Sequence, residues 1–130
     1  MSFSSQFQPT QIRQITKDRQ VQIRWSNGEV YEYSMEYLRV MCPCAKCSGH
    51  TPDQAQLIDG KQDITIRSIV PVGHYAVKLV FSDDHDSGLY SWDTLYELGE
   101  KKDVLWQDYL EALKKAGKRR KPSVFPIKVV

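Results

Sequence analysis

Three features of the sequence predict an α+β fold. They are an apolar–polar alternation on either side of Asn27-Gly28, further strand-like runs between residues 64 and 92, and a final third with helical spacing. Strands followed by helices, rather than strict alternation of the two, imply an antiparallel β-sheet with helices on one face. Val21, Ile23 and Trp25 alternate with Gln22 and Arg24, the period of a half-buried strand. Asn27-Gly28 favours positive φ at both central positions of a type I′ turn, so a tight hairpin is expected to return the chain through 30–33. Ser34 is placed to cap a short helix over 35–40.

A loop over 48–60, punctuated by Gly, Pro and Asp, separates this hairpin from strands at 64–70, 75–81 and 88–92. Pro71 and Gly73 interrupt the chain between the first two, and a polar turn over 82–87 joins the second to the third. Asp93 is expected to cap a helix through Leu98, with Gly99 ending it in the left-handed conformation. Asp103 opens a longer helix, on which Leu105, Tyr109, Leu110 and Leu113 fall at helical spacing and which Gly117 ends. Trp25, Tyr33, Tyr75, Tyr90 and Trp92 are strand aromatics, more often core than pocket lining. No repeat or linker divides the chain, which reads as a frayed polar start over 1–8, one domain over 9–117 and a basic tail over 118–130.

A length of 130 residues fits one domain, and 41% hydrophobic with 26% charged residues is ordinary for a water-soluble one. A net charge of +2 is too small to make the whole molecule a nucleic-acid binder. The first residues carry neither a basic start nor an apolar run, so no secretory leader is expected. No stretch of about 18 apolar residues occurs that would span a membrane. Ser2 rather than Gly follows Met1, which excludes N-myristoylation. The expected compartment is the cytoplasm.

That compartment bears on the cysteines. All three fall in Cys42-Pro43-Cys44-Ala45-Lys46-Cys47, and clustered thiols in a reducing compartment are more often metal ligands than disulfides. Cys-x-x-Cys lets two sulfurs converge around a turn. In an extended stretch residues two apart point the same way, so Cys42 can join them, with Pro43 stiffening the segment. Apolar filler is the bland alternative, but three thiols beside polar Lys46 and Ser48 argue against it. Zinc is the favoured metal, with an iron–sulfur cluster or a metal-free redox pair as alternatives, because spacing does not fix metal identity. Three thiolates on a divalent cation leave a net negative charge that Arg39 and Lys46 lie close enough to offset.

A tetrahedral zinc site needs a fourth ligand. His50 stands three residues beyond Cys47, His74 precedes a strand, and His85 sits in the turn Asp83-Asp84-His85-Asp86, where Asp84 or Asp86 could accept its second ring proton. Spacing alone leaves the choice open.

Several strings recur together here: Glu36-Tyr37-Leu38-Arg39, then 42–50, then Val72-Gly73-His74-Tyr75-Ala76-Val77, then 85–95 beginning His85-Asp86-Ser87-Gly88. In this order they resemble the γ-butyrobetaine hydroxylase-like N-terminal domain family over roughly residues 9–100. In the hydroxylase that names the family, this domain precedes the catalytic one and holds a structural zinc through three cysteines and a downstream histidine. The resemblance therefore implies Cys42, Cys44, Cys47 and His85 as ligands and gives His50 no role. Relatives often read Asp-Gly-His where this chain has Asp83-Asp84-His85, and Asp tolerates positive φ better than most residues. Similar domains are fused to P-loop ATPases that carry iron–sulfur clusters, which implies an accessory role beside iron–sulfur assembly. Direct cluster carriage, or service as auxiliary domain to a 2-oxoglutarate oxygenase, are the alternatives.

No catalytic site is expected. A 2-His-1-carboxylate iron centre needs two histidines and an acid around open positions, which adjacent His85-Asp86 does not supply. Three thiolates and an imidazole would saturate zinc and leave no place for an activated water. No Gly-rich phosphate loop and no Gly-x-Ser-x-Gly occurs. Lys114, Lys115, Lys118, Arg119, Arg120 and Lys121 crowd the end of the last helix, where cations favourably oppose its dipole. A nucleic acid or an acidic protein surface is the alternative reading of that run.

Overall fold

Val21, Ile23 and Trp25 are buried while Arg24 between them is exposed, so the predicted alternation is the observed one. These residues form β2 (Gln20–Trp25), the centre of a three-stranded antiparallel sheet ordered β1 (Pro9–Ile15), β2, β3 (Val30–Ser34). The computed structural model describes residues 8–44, 57–86 and 88–121. A second three-stranded antiparallel sheet is formed by β4 (Ile66–Val72), β5 (Ala76–Phe81) and β6 (Leu89–Ser91), with β5 central. The helices are α1 (Met35–Val40), α2 (Trp92–Glu100) and α3 (Lys102–Ala116). The class is α+β as predicted, but the strands divide into two sheets rather than one. The sheets are tied directly where Gln14 Nε2 donates to the Ile66 carbonyl at 2.6 Å.

The hairpin between β2 and β3 forms, with a different turn from the predicted type I′. Gly28 alone takes positive φ, at 91°, and Asn27 does not. Trp25 N donates to Glu29 O at 2.8 Å, Gly28 N to Trp25 O at 3.0 Å, and Glu29 N to Asn27 Oδ1 at 3.0 Å. This is a three-residue connection, a type I turn followed by one left-handed residue, which keeps strand register by adding a bulge.

Ser34 caps α1 as predicted, its hydroxyl accepting from Tyr37 N at 2.9 Å. Pro71 does not break its strand: β4 runs through it to Val72, paired with Val77. Proline is tolerated there because β4 is an edge strand, where one row of amides has no ladder partner to lose. The cap of α2 is Ser91, not Asp93, with its hydroxyl accepting from Thr94 N at 3.2 Å. Gly99 lies inside α2 rather than ending it. Lys101, whose side chain makes no capping bond, precedes α3, so Asp103 lies in its first turn instead of capping it. Gly117 ends α3 at φ 67°, as expected.

The core is aromatic. Tyr33 and Tyr37 bury their rings and donate to the Leu95 and Leu98 carbonyls of α2, each at 2.6 Å. Burial pushes both phenols far above their ordinary pKa, so they remain protonated donors. Tyr90 donates to the Leu38 carbonyl, fixing α1 against β6. Trp25 and Trp92 are buried too, so four of the five strand aromatics are core, while Tyr75 is 51% exposed.

Candidate metal centre

Two elements bring three of the four predicted ligands together. α1 ends at Val40 and delivers Cys42 and Cys44 into the interior, 3% and 9% exposed. The turn after β5 delivers His85, whose Nε2 lies 3.1 Å from Cys42 Sγ and 3.4 Å from Cys44 Sγ. The three ligand atoms all fall within 4.8 Å of one another, the one such Cys/His/acid group among the described residues. Cys47 and His50 lie outside the described residues. His74 is exposed in the β4–β5 turn, away from this group.

The donor set fits a tetrahedral metal. Metal–sulfur bonds near 2.3 Å and metal–nitrogen bonds near 2.1 Å set at the tetrahedral angle place sulfur and nitrogen about 3.6 Å apart. The observed separations fall short of that by a few tenths of an ångström, a shift that rotation about the side-chain torsions supplies. The surroundings hold the thiol in place. A Cβ built on Gly88 would stand 2.7 Å from Cys42 Sγ and 2.8 Å from the Tyr90 ring, so only glycine leaves the sulfur its room.

The His85 turn repeats the geometry of the Asn27-Gly28 turn. Phe81 N donates to His85 O and Asp84 N to Phe81 O, both at 3.0 Å, while His85 N donates to Asp83 Oδ1 at 3.1 Å. Asp84 stands where Gly28 stands, with φ 64°. The aspartate tolerates the left-handed conformation that the resemblance to Asp-Gly-His relatives implied. Replacing Asp84 with Gly is expected to leave the melting temperature within a few degrees, because relief of about 1 kcal/mol of backbone strain is offset by the greater freedom of unfolded glycine. Asp84→Val, with a branched Cβ at positive φ, is expected to destabilise by about 1–2 kcal/mol, and thermal melts of the two variants check the contrast.

Asp83, not Asp84 or Asp86, is the organising carboxylate. Besides holding the His85 amide, its Oδ2 meets Arg39 Nε at 2.9 Å and Lys61 Nζ at 2.8 Å. Burial disfavours its charge, but the Lys61 and Arg39 donors outweigh that and bring its pKa down to about 2. Asp84 pairs instead with Arg67. Arg39 is itself 6% exposed and sits 5.9 Å over the Phe81 ring, a buried cation close to the cysteine segment as its sequence position suggested. The part played by Asp83 was legible as an Asx turn, since an Asp two residues before a turn amide commonly accepts from it.

A groove of about 540 Å³ lies elsewhere, between β1 and β4, walled by Ile12, Ile69, Pro71, Val77 and Trp92. No helix of the described residues is long and apolar enough to cross a membrane.

The comparisons with known proteins agree with this architecture. No curated protein matches the chain. Two solution NMR structures are 40% and 39% identical to it, with TM-scores of 0.77 and 0.79. They cover 94% and 100% of this chain and 96% and 98% of their own. A crystal structure from Acidithiobacillus ferrooxidans ATCC 23270, described as a protein with unknown function of the DUF971 family, is 38% identical over 71% of this chain and 92% of that one, at a TM-score of 0.61. The family model described as gamma-butyrobetaine hydroxylase-like, N-terminal, matches residues 12–96, from β1 through the middle of α2. With the majority of its length matched, the chain belongs to the gamma-butyrobetaine hydroxylase-like, N-terminal, domain family.

Proposed function

We propose that this protein is a small non-catalytic accessory domain that holds one zinc ion through Cys42, Cys44, Cys47 and His85, and that acts in the cytoplasm by binding a protein partner. The observation that carries the reading is the convergence of Cys42 Sγ, Cys44 Sγ and His85 Nε2 from two distant chain segments. Soft thiolates with one imidazole suit zinc, and four such ligands close its coordination, which favours a structural over a catalytic role. Family membership supports an accessory role beside iron–sulfur assembly, with a P-loop carrier ATPase as the partner class.

Elemental analysis and a visible spectrum of protein purified without oxygen test this reading. The expected result is about one zinc per chain in wild type and in His50→Ala, and a marked loss in His85→Ala. Iron with sulfide in place of zinc would move the reading to cluster carriage, and metal-free protein would sink it. A pulldown that recovers no iron–sulfur assembly factor, together with normal iron–sulfur enzyme activities in a deletion strain, would remove the assembly role.

A further inference from the structure

The basic run after α3 is not simply a solvated tail. Arg120 makes a two-pronged ion pair with Glu36 on α1, Nη2 to Oε1 at 2.7 Å and Nε to Oε2 at 3.0 Å. Glu36 is 5% exposed, and the guanidinium lies 5.2 Å over the ring of Trp106 on α3. The backbone of the same segment is bonded as well: Gly60 N donates to Arg119 O at 2.9 Å and Gln62 N to Arg120 O at 3.0 Å. Between those two amides sits Lys61, which reaches Asp83.

These contacts close a ring around the metal centre. Glu36 and Arg39 stand one turn apart on α1, directly before Cys42. Arg39 and Lys61 share the carboxylate of Asp83, which holds the amide of His85. Residues 119–120 bridge the remaining gap, from Glu36 on the cysteine side to 60–62 on the histidine side. Arg120 thus touches the supports of both ligand-bearing segments and, among the described residues, none of the ligands.

We propose that residues 119–120 are a clamp on the metal centre, with Arg120 as a positioning residue, so that metal occupancy and docking of these residues stabilise each other. The inference rests on the zinc reading above. Its physical basis is linkage: if the docked segment holds α1 and the His85 turn at coordinating distance, zinc favours docking by the same factor that docking favours zinc. A carboxylate left buried when Arg120 is removed would drive α1 to shift toward water, and α1 carries the cysteines.

Two measurements on the full chain test it. Competition with a chromophoric chelator gives the zinc affinity of wild type, Arg120→Ala, Arg120→Lys and, as a control on an exposed cation, Lys118→Ala. Arg120→Ala is expected to weaken zinc binding several-fold, less than the roughly tenfold lost with a group bonded directly to a ligand, with Arg120→Lys intermediate and Lys118→Ala unchanged. Trypsin cleavage within 118–121, followed by mass spectrometry, is expected to slow in wild-type protein when zinc is added. Zinc-binding wild type whose cleavage rate ignores zinc, or a folded Arg120→Ala protein of wild-type zinc affinity, would overturn the clamp alone. If Arg120→Ala does not fold, the wild-type cleavage comparison decides by itself. A wild type that binds no zinc would overturn the proposed function and the clamp with it.

Discussion

With zinc bound as proposed above, its removal from the wild-type protein by a strong chelator is expected to lower the melting temperature by roughly 12–24 °C. A ligand bound only by the folded state, present at about a thousand times its dissociation constant, contributes about 4 kcal/mol. A domain of this length shifts by about 3–6 °C per kcal/mol, between the values for smaller and larger domains. The effect is large because the ion would join segments distant in sequence: Cys42 and His85 are 43 residues apart. Without the ion, the turn is held against α1 by packing, by the Arg39–Asp83–Lys61 group and by the bridge through residues 119–120. Cys42→Ser and His85→Ala are each expected to start at the lower melting temperature and to show no further drop with chelator. Serine oxygen is not a zinc ligand at neutral pH, and alanine offers none. Differential scanning calorimetry with and without chelator, alongside metal analysis, measures both effects. A wild-type protein verified as metal-free that melts where the loaded protein does would show that the site contributes nothing to the fold.

The parts of the molecule that were legible in the sequence are those governed by local chemistry. The alternation in β2, the Ser34 cap, the Gly117 stop and the convergence of Cys42 and Cys44 with His85 each follow from residues within a few positions or from the family motif. The errors fall where a tertiary contact overrides a local preference. Asn27-Gly28 suggested a two-residue turn, but the closing pair became Trp25 and Glu29, because this register sets Tyr33 opposite Val21 and Tyr31 opposite Ile23, on the same face as the buried β2 residues. The Arg120–Glu36 pair spans 84 residues and no periodicity announces it. What the sequence showed there was a run of six cations at a helix end, and the dipole accounts for such a run without any partner. Only the docking of the chain at 60–62 makes one of those cations structural. Likewise the division into two sheets, tied by the Gln14 side chain to the Ile66 carbonyl, is something no strand pattern specifies.

Gly99 shows the same conflict within a single residue, and there the two considerations predict opposite signs. On helix propensity alone Gly99→Ala should stabilise α2 by up to about 1 kcal/mol, since glycine is the weaker helix former. The structure predicts the reverse. Gly99 is buried inside α2, and a Cβ there would stand 2.5 Å and 2.6 Å from Cδ2 and Cγ of Tyr31 and 2.7 Å from the Tyr33 hydroxyl. All three distances are well inside ordinary van der Waals contact. The Tyr31 atoms lie at the root of its ring, so only a rotation about Cα–Cβ clears them, and that takes the ring away from its edge contact with Tyr96. The Tyr33 hydroxyl is held by the Leu95 carbonyl of α2 at 2.6 Å. Moving Tyr33 would therefore break a buried hydrogen bond as well as disturb the packing. Overpacking of this kind costs about 1–3 kcal/mol, so Gly99→Ala is expected to melt roughly 3–18 °C below wild type despite its better propensity. A companion substitution separates the two effects: Tyr31→Ala opens the space over Gly99, and in that background Gly99→Ala is expected to cost less. Thermal melts of the four proteins of this double-mutant cycle measure the coupling directly. If Gly99→Ala raised the melting temperature in wild type, helix propensity would outweigh the close approach of α2 to the tyrosines of β3. The chain interrupts α2 with glycine so that the helix can lie against that aromatic face.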